Sequence, residues 1–267
     1  DRRNALAIPG QGDNISGLGP SQHSSGKNGR ERNIINIAVK DFDRADADVI
    51  KGLSEIGVAS VHEAQERSGL LDRALRPIYP GPHIAGSALT VLAQPGDNLM
   101  IHVAVELAKP GDILVVAVTT PNTDGMFGDL LGLSCCTRGV LGLVTDAGVR
   151  DISTLREIGF PAWSRAVSAQ GAVKNTTGAV NVPIICAGQS VRPGDIIVAD
   201  DDGIVCVPRL NGKEVLASAI AREEKEAGIR ERLEAGESTM DVFGLREELS
   251  RKGFKYFDRL EEVDKKS

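Results

Sequence analysis

Apolar positions in the middle of the chain recur with the spacing of helices and of strands in turn. The segment 41–57 carries an apolar residue at every third or fourth position until Gly57, which predicts an amphipathic helix. Its apolar face consists of Val49, Ile50, Leu53 and Ile56. By the same pattern, further helices are predicted at 60–69, at 96–112 with a Pro-Gly turn at its end, at 128–139 and at 151–160.

Strand patterns lie between these helices. Apolar and polar residues alternate along 83–93, which predicts a strand, and the run 112–118 is apolar throughout, as in strands that are buried on both faces. A strand over 140–148 is expected to end at Asp146, where the turn residues begin. The remaining candidates are a strand at 162–170 and a short strand or turn of helix at 33–39.

The pattern changes after Thr177. Short β-runs are separated there by Pro-Gly and Asp-Asp-Gly turns, which are typical of hairpins. A strongly charged helix is predicted at 212–235, and the tail is polar and helical. The order of elements predicts a single α/β layered domain over 33–267 with C-terminal helices. Residues 1–32 lack an apolar period and predict a flexible N-terminal extension.

Composition narrows the classes of partner. The net charge of −6 argues against nucleic acid, because phosphate binding requires a basic patch. No run approaches the roughly 20 apolar residues that span a membrane, and the polar start carries no secretory signal. Four cysteines at 135, 136, 186 and 206 show neither metal spacing nor a disulfide framework. We expect free thiols in the cytoplasm, with Cys135 and Cys136 buried.

Three charged residues bracket the apolar stretch 128–151. Asp129 begins a predicted helix, whereas Arg150 and Asp151 lie between a strand and the next helix. Each aspartate alone is equally well explained as a helix N-cap. Ligands of α/β layers, however, collect where strands end and helices begin. Two carboxylates with bound waters suit Mg²⁺ or Mn²⁺, and an adjacent arginine suits a carboxylate or a developing oxyanion.

The backbone amides of Leu130 and Leu131 form a second candidate site. They lie in the first turn of the helix predicted at 128–139, where N–H groups lack partners inside the helix. Together with the helix dipole, such amides suit a carboxylate or a phosphate. We therefore expect an anionic group of the ligand at this end of the helix.

These residues and their spacing resemble a known family. Asp129, twenty intervening residues and the pair Arg150–Asp151 are similar to the D-x20-R-D signature of the divalent-metal pyruvate aldolases. That family includes the 4-hydroxy-4-methyl-2-oxoglutarate and 4-carboxy-4-hydroxy-2-oxoadipate aldolases. The resemblance covers about residues 45–250 and is carried by blocks at 95–102, 128–131, 138–151, 163–174 and 194–208. It implies the β/β/α swivelling-domain fold of the regulator-of-ribonuclease-activity A (RraA) proteins and a homotrimer or homohexamer.

The resemblance also implies a role for each matched residue. Asp151 would bind Mg²⁺ or Mn²⁺ directly, and Asp129 would hold water molecules of that metal. Arg150 would bind the pyruvyl oxygen and stabilise the enolate. The amides of Leu130 and Leu131 would hold the pyruvate carboxylate. Three further residues would line the pocket for the rest of the substrate: Asn98, His102 and Lys174.

Members of the family also place a glutamate from a neighbouring subunit near the metal waters. In the helix predicted at 212–235, Glu223 and Glu226 fall within the apolar stripe, whereas Glu224 points away. A carboxylate on an apolar face is costly unless it is paired or bound. Both glutamates are also explained as reaching solvent at the edge of the stripe. Spacing favours Glu226, with Glu223 as the alternative.

The reaction implied by the resemblance is retro-aldol cleavage of a 4-hydroxy-2-oxo acid. The products would be pyruvate and a second oxo acid, either oxaloacetate or pyruvate, in the degradation of aromatic acids such as protocatechuate and gallate. Oxaloacetate decarboxylation is the expected side activity, since it passes through the same enolate.

Three alternatives have weaker support. A Schiff-base aldolase requires a buried lysine of lowered pKa, and Lys174 is the one lysine in a stretch expected to face the core. A non-catalytic regulator that binds a ribonuclease or helicase would resemble relatives that lack a carboxylate at Asp129. Histidine chemistry is disfavoured, because His23, His62 and His83 are isolated and His102 fits a substrate or packing contact better.

Overall fold

The computed structural model describes residues 36–259 and 261–264. The extension predicted at 1–32 lies outside these residues. Within the described part of the chain, ten strands form one mixed sheet and two more form a separate hairpin. None of the helices described has both the length and the apolar character that crossing a membrane requires.

The strands and helices are as follows. The strands are β1 (Ile37–Ala38), β2 (Arg76–Pro77), β3 (Ile84–Ala93), β4 (Asp112–Val118), β5 (Gly125–Phe127), β6 (Gly142–Val149), β7 (Ala162–Val167), β8 (Ala179–Val180), β9 (Ile184–Cys186), β10 (Gln189–Val191), β11 (Ile196–Ala199) and β12 (Ile204–Val207). The helices are α1 (Ala47–Leu53), α2 (Val58–Ala64), α3 (Leu99–Leu107), α4 (Asp129–Thr137), α5 (Ile152–Glu157), α6 (Gly212–Glu234), α7 (Thr239–Val242), α8 (Leu245–Arg251) and α9 (Glu261–Asp264), with a 3-10 turn at Arg209–Asn211.

Four strands form the parallel centre of the sheet, in the order β3, β4, β6 and β7. β11 and β8 pair with β3 in antiparallel fashion, and β12 pairs with β11. Both faces of this centre are covered, so that almost every residue of β3 and β4 is buried. The strand predicted along 83–93 is confirmed, although its apolar and polar positions are buried alike.

Apolar clusters define the layers. Helices α3, α4 and α5 pack on one face of the central strands, where Leu155 is fully buried. The β9–β10 hairpin and the β11–β12 pair cover the opposite face around Trp163. A third cluster joins α1, α2 and the first half of α6, through Val215, to β11 and β12. This layering confirms the predicted fold class, an α/β domain followed by C-terminal helices.

β6 continues beyond the point at which the sequence predicted its end. It was expected to stop at Asp146, but β5 pairs with its last residues and extends it to Val149. The close approach requires glycine at 148, since a Cβ there would lie 2.3 Å from a backbone oxygen. The longer strand carries Arg150 and Asp151 to the start of α4.

The cysteines are free, as predicted, but they are not all buried. Cys135, Cys186 and Cys206 are buried. Cys136 is exposed, because the residue after Cys135 points to the outer face of α4. Burial raises the pKa of the Cys135 thiol to about 12, so this thiol stays protonated and unreactive at neutral pH.

Candidate active site

A cleft of about 110 Å³ lies where β5 leads into α4 and β6 leads toward α5. Its walls include residues from both of these junctions, from the first turns of α3 and from the loop after β7. It is lined by Asn98, His102, Gly125, Met126, Gly128, Asp129, Leu130, Leu131, Arg150, Ala172 and Lys174. The structure thus brings together the predicted residues of 98–102, 129–131, 150 and 174, which the chain separates widely.

Asp129 and Asp151 approach each other at the N-termini of α4 and α5. Asp129 is the first residue of α4 rather than its N-cap, a position that Gly128 takes. One Asp129 carboxylate oxygen, Oδ1, accepts the Leu130 N–H at 2.8 Å. The Asp129 N–H points to Asp151 Oδ2 at 3.4 Å. The local explanation of Asp129 as an N-cap is therefore wrong.

Asp151 stands at the N-cap position of α5 but makes no capping hydrogen bond with its side chain. Its backbone is left-handed, with φ of 56°, a conformation that costs energy for a residue with a side chain and is tolerated best by Asn and Asp. An N-cap aspartate normally accepts an amide of its own helix. Here the carboxylate turns to Asp129 and Arg150 instead, which leaves oxygen lone pairs for a ligand.

Arg150 lies beside Asp151, with 3.4 Å between Nε and Oδ2. Their side chains are 45% and 38% exposed, so solvent screens this contact and it stabilises the fold only weakly. The Arg150 N–H donates to Phe127 O at 2.9 Å, which fixes the backbone of the arginine against the end of β5. The guanidinium is thus held at the cleft and retains donors for an incoming anion.

Three glycines that were not predicted as site residues surround Arg150. A Cβ at Gly128 would lie 2.4 Å from Asp151 Oδ2, and one at Gly171 would lie 2.8 Å from an Arg150 nitrogen. A Cβ at Gly125 would lie 3.0 Å from Arg150 Cβ. The closely spaced glycines just before α4 were the available signal, because glycine before a helix often permits close approach to a ligand or side chain.

The anion-binding amides predicted at the start of α4 are partly occupied by a hydrogen bond within the chain. Leu130 N–H is taken by Asp129 Oδ1, so only Leu131 keeps an amide that helix geometry leaves without an internal partner. The Leu130 side chain is 78% exposed, whereas that of Leu131 is buried. Rotation of the Asp129 carboxylate away from Leu130 would free the second amide, so that both could bind one anion.

Asn98 connects α3 to β5. It occupies the N-cap position of α3 without capping it, and its Nδ2 donates to Met126 O at 2.9 Å. Its Oδ1 is buried and has no hydrogen-bond partner among the described residues. A buried acceptor without a donor is unfavourable, and this one belongs to a residue of the cleft wall.

His102 and Lys174 form the opposite wall. Burial lowers the pKa of His102, and repulsion from the Lys174 ammonium lowers it further, so the imidazole is neutral at pH 7. Lys174 is exposed, contrary to the expectation that its stretch faces the core. An exposed lysine lacks the desolvation that a Schiff-base nucleophile requires.

The two glutamates of α6 share Arg230 as an ion-pair partner but differ in their other contacts. Glu223 accepts a hydrogen bond from the Ser60 hydroxyl within the same chain. Glu226 forms ion pairs with Arg222 at 3.0 Å and Arg230 at 3.4 Å, both on its own helix. Neither glutamate lines the cleft of its own subunit. The remaining histidines that the structure describes, at 62 and 83, also lie outside it, and His23 falls outside the described residues.

The carboxylates fit a hard divalent cation with few protein ligands. No group of three or more His, Cys, Asp or Glu side chains arranged to hold a metal occurs within residues 36–259 and 261–264. Mg²⁺ and Mn²⁺ prefer oxygen donors and keep several waters. A site with Asp151 as the direct ligand and Asp129 acting through water would have this character.

Known proteins share both the sequence and the fold. The RraA-like family, Aldolase/RraA, matches residues 45–206. The chain belongs to this family. A relative from Halalkalibacterium halodurans, named "Putative 4-hydroxy-4-methyl-2-oxoglutarate aldolase", is 31% identical over 189 residues, which cover 71% of this chain and 90% of the relative. The matched region of the RraA-like family contains every predicted site residue except Glu226.

Solved structures share the architecture of this chain. An uncharacterized protein from Pseudomonas syringae aligns with a TM-score of 0.67 and 26% identity over 75% of this chain and 99% of its own. Streptomyces coelicolor RraAS2, described as an unusual member of the RNase ES inhibitor RraA protein family, aligns with a TM-score of 0.64 and 28% identity. That alignment covers 71% of this chain and 99% of RraAS2.

Proposed function

We propose that the chain is a carbon–carbon lyase that cleaves 4-hydroxy-2-oxo acids in a divalent-metal-dependent retro-aldol reaction. The substrates would be 4-carboxy-4-hydroxy-2-oxoadipate or 4-hydroxy-4-methyl-2-oxoglutarate, in the degradation of aromatic acids. The observation that carries the proposal is Asp151, an N-cap aspartate in a left-handed conformation. Its carboxylate accepts no amide of its own helix and faces Asp129 and Arg150 instead. Such strain at a cleft is typical of functional sites.

The metal would be Mg²⁺ or Mn²⁺, held directly by Asp151 and through water by Asp129. When bound, the cation would draw electron density from the 2-oxo group of the substrate and lower the barrier to enolate formation. Asp129 lines the cleft, and Asp151 lies directly behind it with Oδ2 at 3.4 Å from the Asp129 nitrogen. Both carboxylates are hard oxygen donors, which supports this assignment.

The side chains of the chain supply the remaining chemistry. Arg150 would donate to the 2-oxo oxygen, where negative charge develops as the C3–C4 bond breaks and its electrons move into the enolate. The amide of Leu131, joined by that of Leu130 when Asp129 turns away, would hold the substrate carboxylate. Asp129 would receive the proton of the C4 hydroxyl through an ordered water, so that C4 becomes a carbonyl. The enolate then takes a proton at C3 and leaves as pyruvate.

A neighbouring subunit would complete the site with Glu226, in a homotrimer or homohexamer. Glu226 is favoured over Glu223 because the Ser60 hydroxyl already binds Glu223 within its own chain. The partners of Glu226 are two arginines that are 40% and 60% exposed, and such screened pairs are readily exchanged for another partner.

The test is release of pyruvate from each of the two substrates, with enzyme stripped by EDTA and then reloaded with Mg²⁺ or Mn²⁺. We expect no turnover without metal and recovery on reloading. Asp129→Asn should lower turnover by about 10²–10⁴-fold, the usual contribution of a group that moves a proton. Asp48→Asn, at an exposed aspartate in the first turn of α1, is the control and should keep full activity. Turnover that persists after complete removal of metal contradicts the proposal.

A second candidate is regulation of a ribonuclease. Its support is the likeness to Streptomyces coelicolor RraAS2, whose family is named for RNase ES inhibition. The two functions separate in the Asp129→Asn protein. It should lose pyruvate release yet keep any inhibition of RNase ES, because regulators of this kind are expected to lack a carboxylate at this position. Inhibition by the native chain without any pyruvate release would favour the regulator.

A further inference from the structure

Asp97 is a buried carboxylate that joins two parts of the cleft wall. Only 2% of the residue is exposed. Its Oδ1 accepts the Leu99 N–H at 2.9 Å, and its Oδ2 accepts the N–H groups of Asn175 at 2.8 Å and Thr176 at 2.6 Å. Leu99 begins α3, while Asn175 and Thr176 follow Lys174. One carboxylate thus ties the helix that carries His102 to the segment that carries Lys174.

Backbone hydrogen bonds join the same two segments. Asn98 N–H donates to Val173 O at 3.0 Å, and Val173 N–H donates to Gly96 O at 2.9 Å. These bonds form a parallel β-bridge between Asp97 and Val173. Asn98 directly follows Asp97 and Lys174 directly follows Val173, and both Asn98 and Lys174 line the cleft. The position of Lys174 at the cleft therefore depends on this β-bridge, which precedes it, and on the Asp97 carboxylate, which binds the two residues after it.

The charge of Asp97 is retained at neutral pH. Burial works against the ionised form, but hydrogen bonds from the amides of Leu99, Asn175 and Thr176 outweigh it and lower the pKa of the carboxyl group. Hydrogen bonds to an ionised acceptor are stronger than those between neutral groups. The segment 171–176 contains no helix and is largely exposed, so few other contacts fix it.

We propose that Asp97 is a positioning residue, which holds the Lys174 ammonium opposite His102 and thereby sets where the cleft binds an anionic group of the ligand. The consequence for catalysis rests on the aldolase function proposed above, whereas the geometric claim does not. In an aldolase of this kind, the anionic group would be a carboxylate on the part of the substrate beyond C3, distant from the pyruvyl end at Arg150.

The first experiment follows the titration of His102 by NMR in Asp97→Asn, with metal-free protein. Loss of the Asp97 anion alone would lower the pKa of His102. Release of Lys174 from the cleft would raise it, because the repulsion that Lys174 exerts on His102 is removed. We expect a rise. The other charged groups of the adjoining walls, Asp129, Arg150, Glu106 and Arg138, are unchanged in every variant.

Two further variants test the route of the effect. Lys174→Gln should raise the pKa of His102 by a similar amount, and adding Asp97→Asn to it should give no further rise. Asp200→Asn is the matched control, since Asp200 also accepts three backbone amides, from Val58, Asp202 and Gly203, but away from the cleft. It should leave the titration of His102 unchanged.

The second experiment measures turnover of the proposed substrates. Asp97→Asn should raise KM about fivefold, the size expected when a part-exposed charge pair is lost, with a smaller effect on kcat. If the native enzyme has no aldolase activity, the proposed function fails while the NMR titration still tests the role of Asp97.

If Asp97→Asn does not fold, Thr176→Pro removes one of the donors and leaves the carboxylate in place. An unchanged or lowered pKa of His102, or an equal rise in Asp200→Asn, overturns the proposal.

Discussion

At the scale of single residues, the site depends on glycines without side chains as well as on its charged side chains. Asp129, Arg150 and Asp151 carry the chemistry, but their approach requires glycine at 125, 128 and 171. The charged residues stand out in the sequence because they bracket an apolar run. The glycines do not, because the need for glycine arises only when another part of the chain comes within van der Waals distance.

Gly128→Ala should disable the site without unfolding the chain. The backbone of Gly128 is extended, with φ of −148°, so alanine fits the backbone, but its Cβ would lie 2.4 Å from Asp151 Oδ2 and 3.1 Å from Arg150 Cγ. Both side chains must move, and a displacement near 1 Å costs on the order of 10² in kcat/KM. Assays of pyruvate release and of thermal unfolding check the expectation.

Gly57→Ala is the matched control for this substitution. Gly57 has φ of −60° and ordinary van der Waals space for a methyl group, and it lies at the start of α2. It should keep full turnover. Equal activity in Gly128→Ala and Gly57→Ala would show that Asp151 and Arg150 are not held as the proposed site requires.

At the scale of elements, the starts of α3, α4 and α5 converge on one cleft, and none of the three has a conventional cap. Asn98 and Asp151 occupy N-cap positions without capping, and Gly128 has no side chain to do so. Asp97 provides the missing capping bond of α3 by accepting Leu99 N–H. These helix ends lack the stabilisation that a side-chain cap would contribute, and they lie at the cleft, as is common at functional sites.

The contribution of Asp97 to stability should depend on pH in a defined direction. Its pKa in the folded chain lies below the ordinary value of 3.8. The stability contributed by such a carboxylate is complete above the unfolded-state pKa and is lost as pH falls through the folded-state pKa. Asp97→Asn should therefore be less stable than the native chain by about 2 kcal/mol at pH 7, the scale of a buried charged hydrogen bond.

Urea unfolding from pH 7 to pH 3 measures this dependence. The difference in the free energy of unfolding between the native chain and Asp97→Asn should stay constant down to about pH 5 and shrink below the ordinary carboxyl pKa. A difference that grows with acid would mean that the folded state favours protonated Asp97, contrary to its hydrogen bonds with three amides.

At the scale of the whole molecule, the second half of α6 extends beyond the layered core. Its buried residues, Gly212, Val215 and Ala219, lie in the first half, where the helix packs on α1 and α2. In the second half, Glu226 lies beside a groove with Ile229 and Phe243 rather than beside the cleft of its own chain. Completion of the site by a neighbouring subunit remains a prediction of the sequence.

Complementation between subunits tests that prediction. Glu226→Gln and Asp129→Asn should each abolish most of the turnover in homogeneous oligomers. Co-expression of the two in equal amounts should restore about a quarter of the native sites, because random assembly pairs an intact Asp129 with an intact neighbouring Glu226 at that frequency.

The matched control is Glu224→Gln, an exposed glutamate of the same helix, which should keep activity. Glu223→Gln provides the alternative arm, and a loss of turnover there with full activity in Glu226→Gln would transfer the role to Glu223. Absence of complementation, with intact oligomers, would place both residues of each site in one subunit.

The sequence by itself determined most of the order of helices and strands, though not β2 and β5, together with the α/β layering and the family. It could do so because apolar periodicity and local motifs are properties of consecutive residues. It also singled out Asn98, Asp129, Arg150 and Lys174 for the cleft they share. Tertiary structure alone decided that β6 runs on to Val149, that Leu130 N–H is taken by Asp129, and that Asp97 accepts the amides of Asn175 and Thr176 next to Lys174. Each of these depends on a contact between segments distant along the chain, which no local pattern encodes.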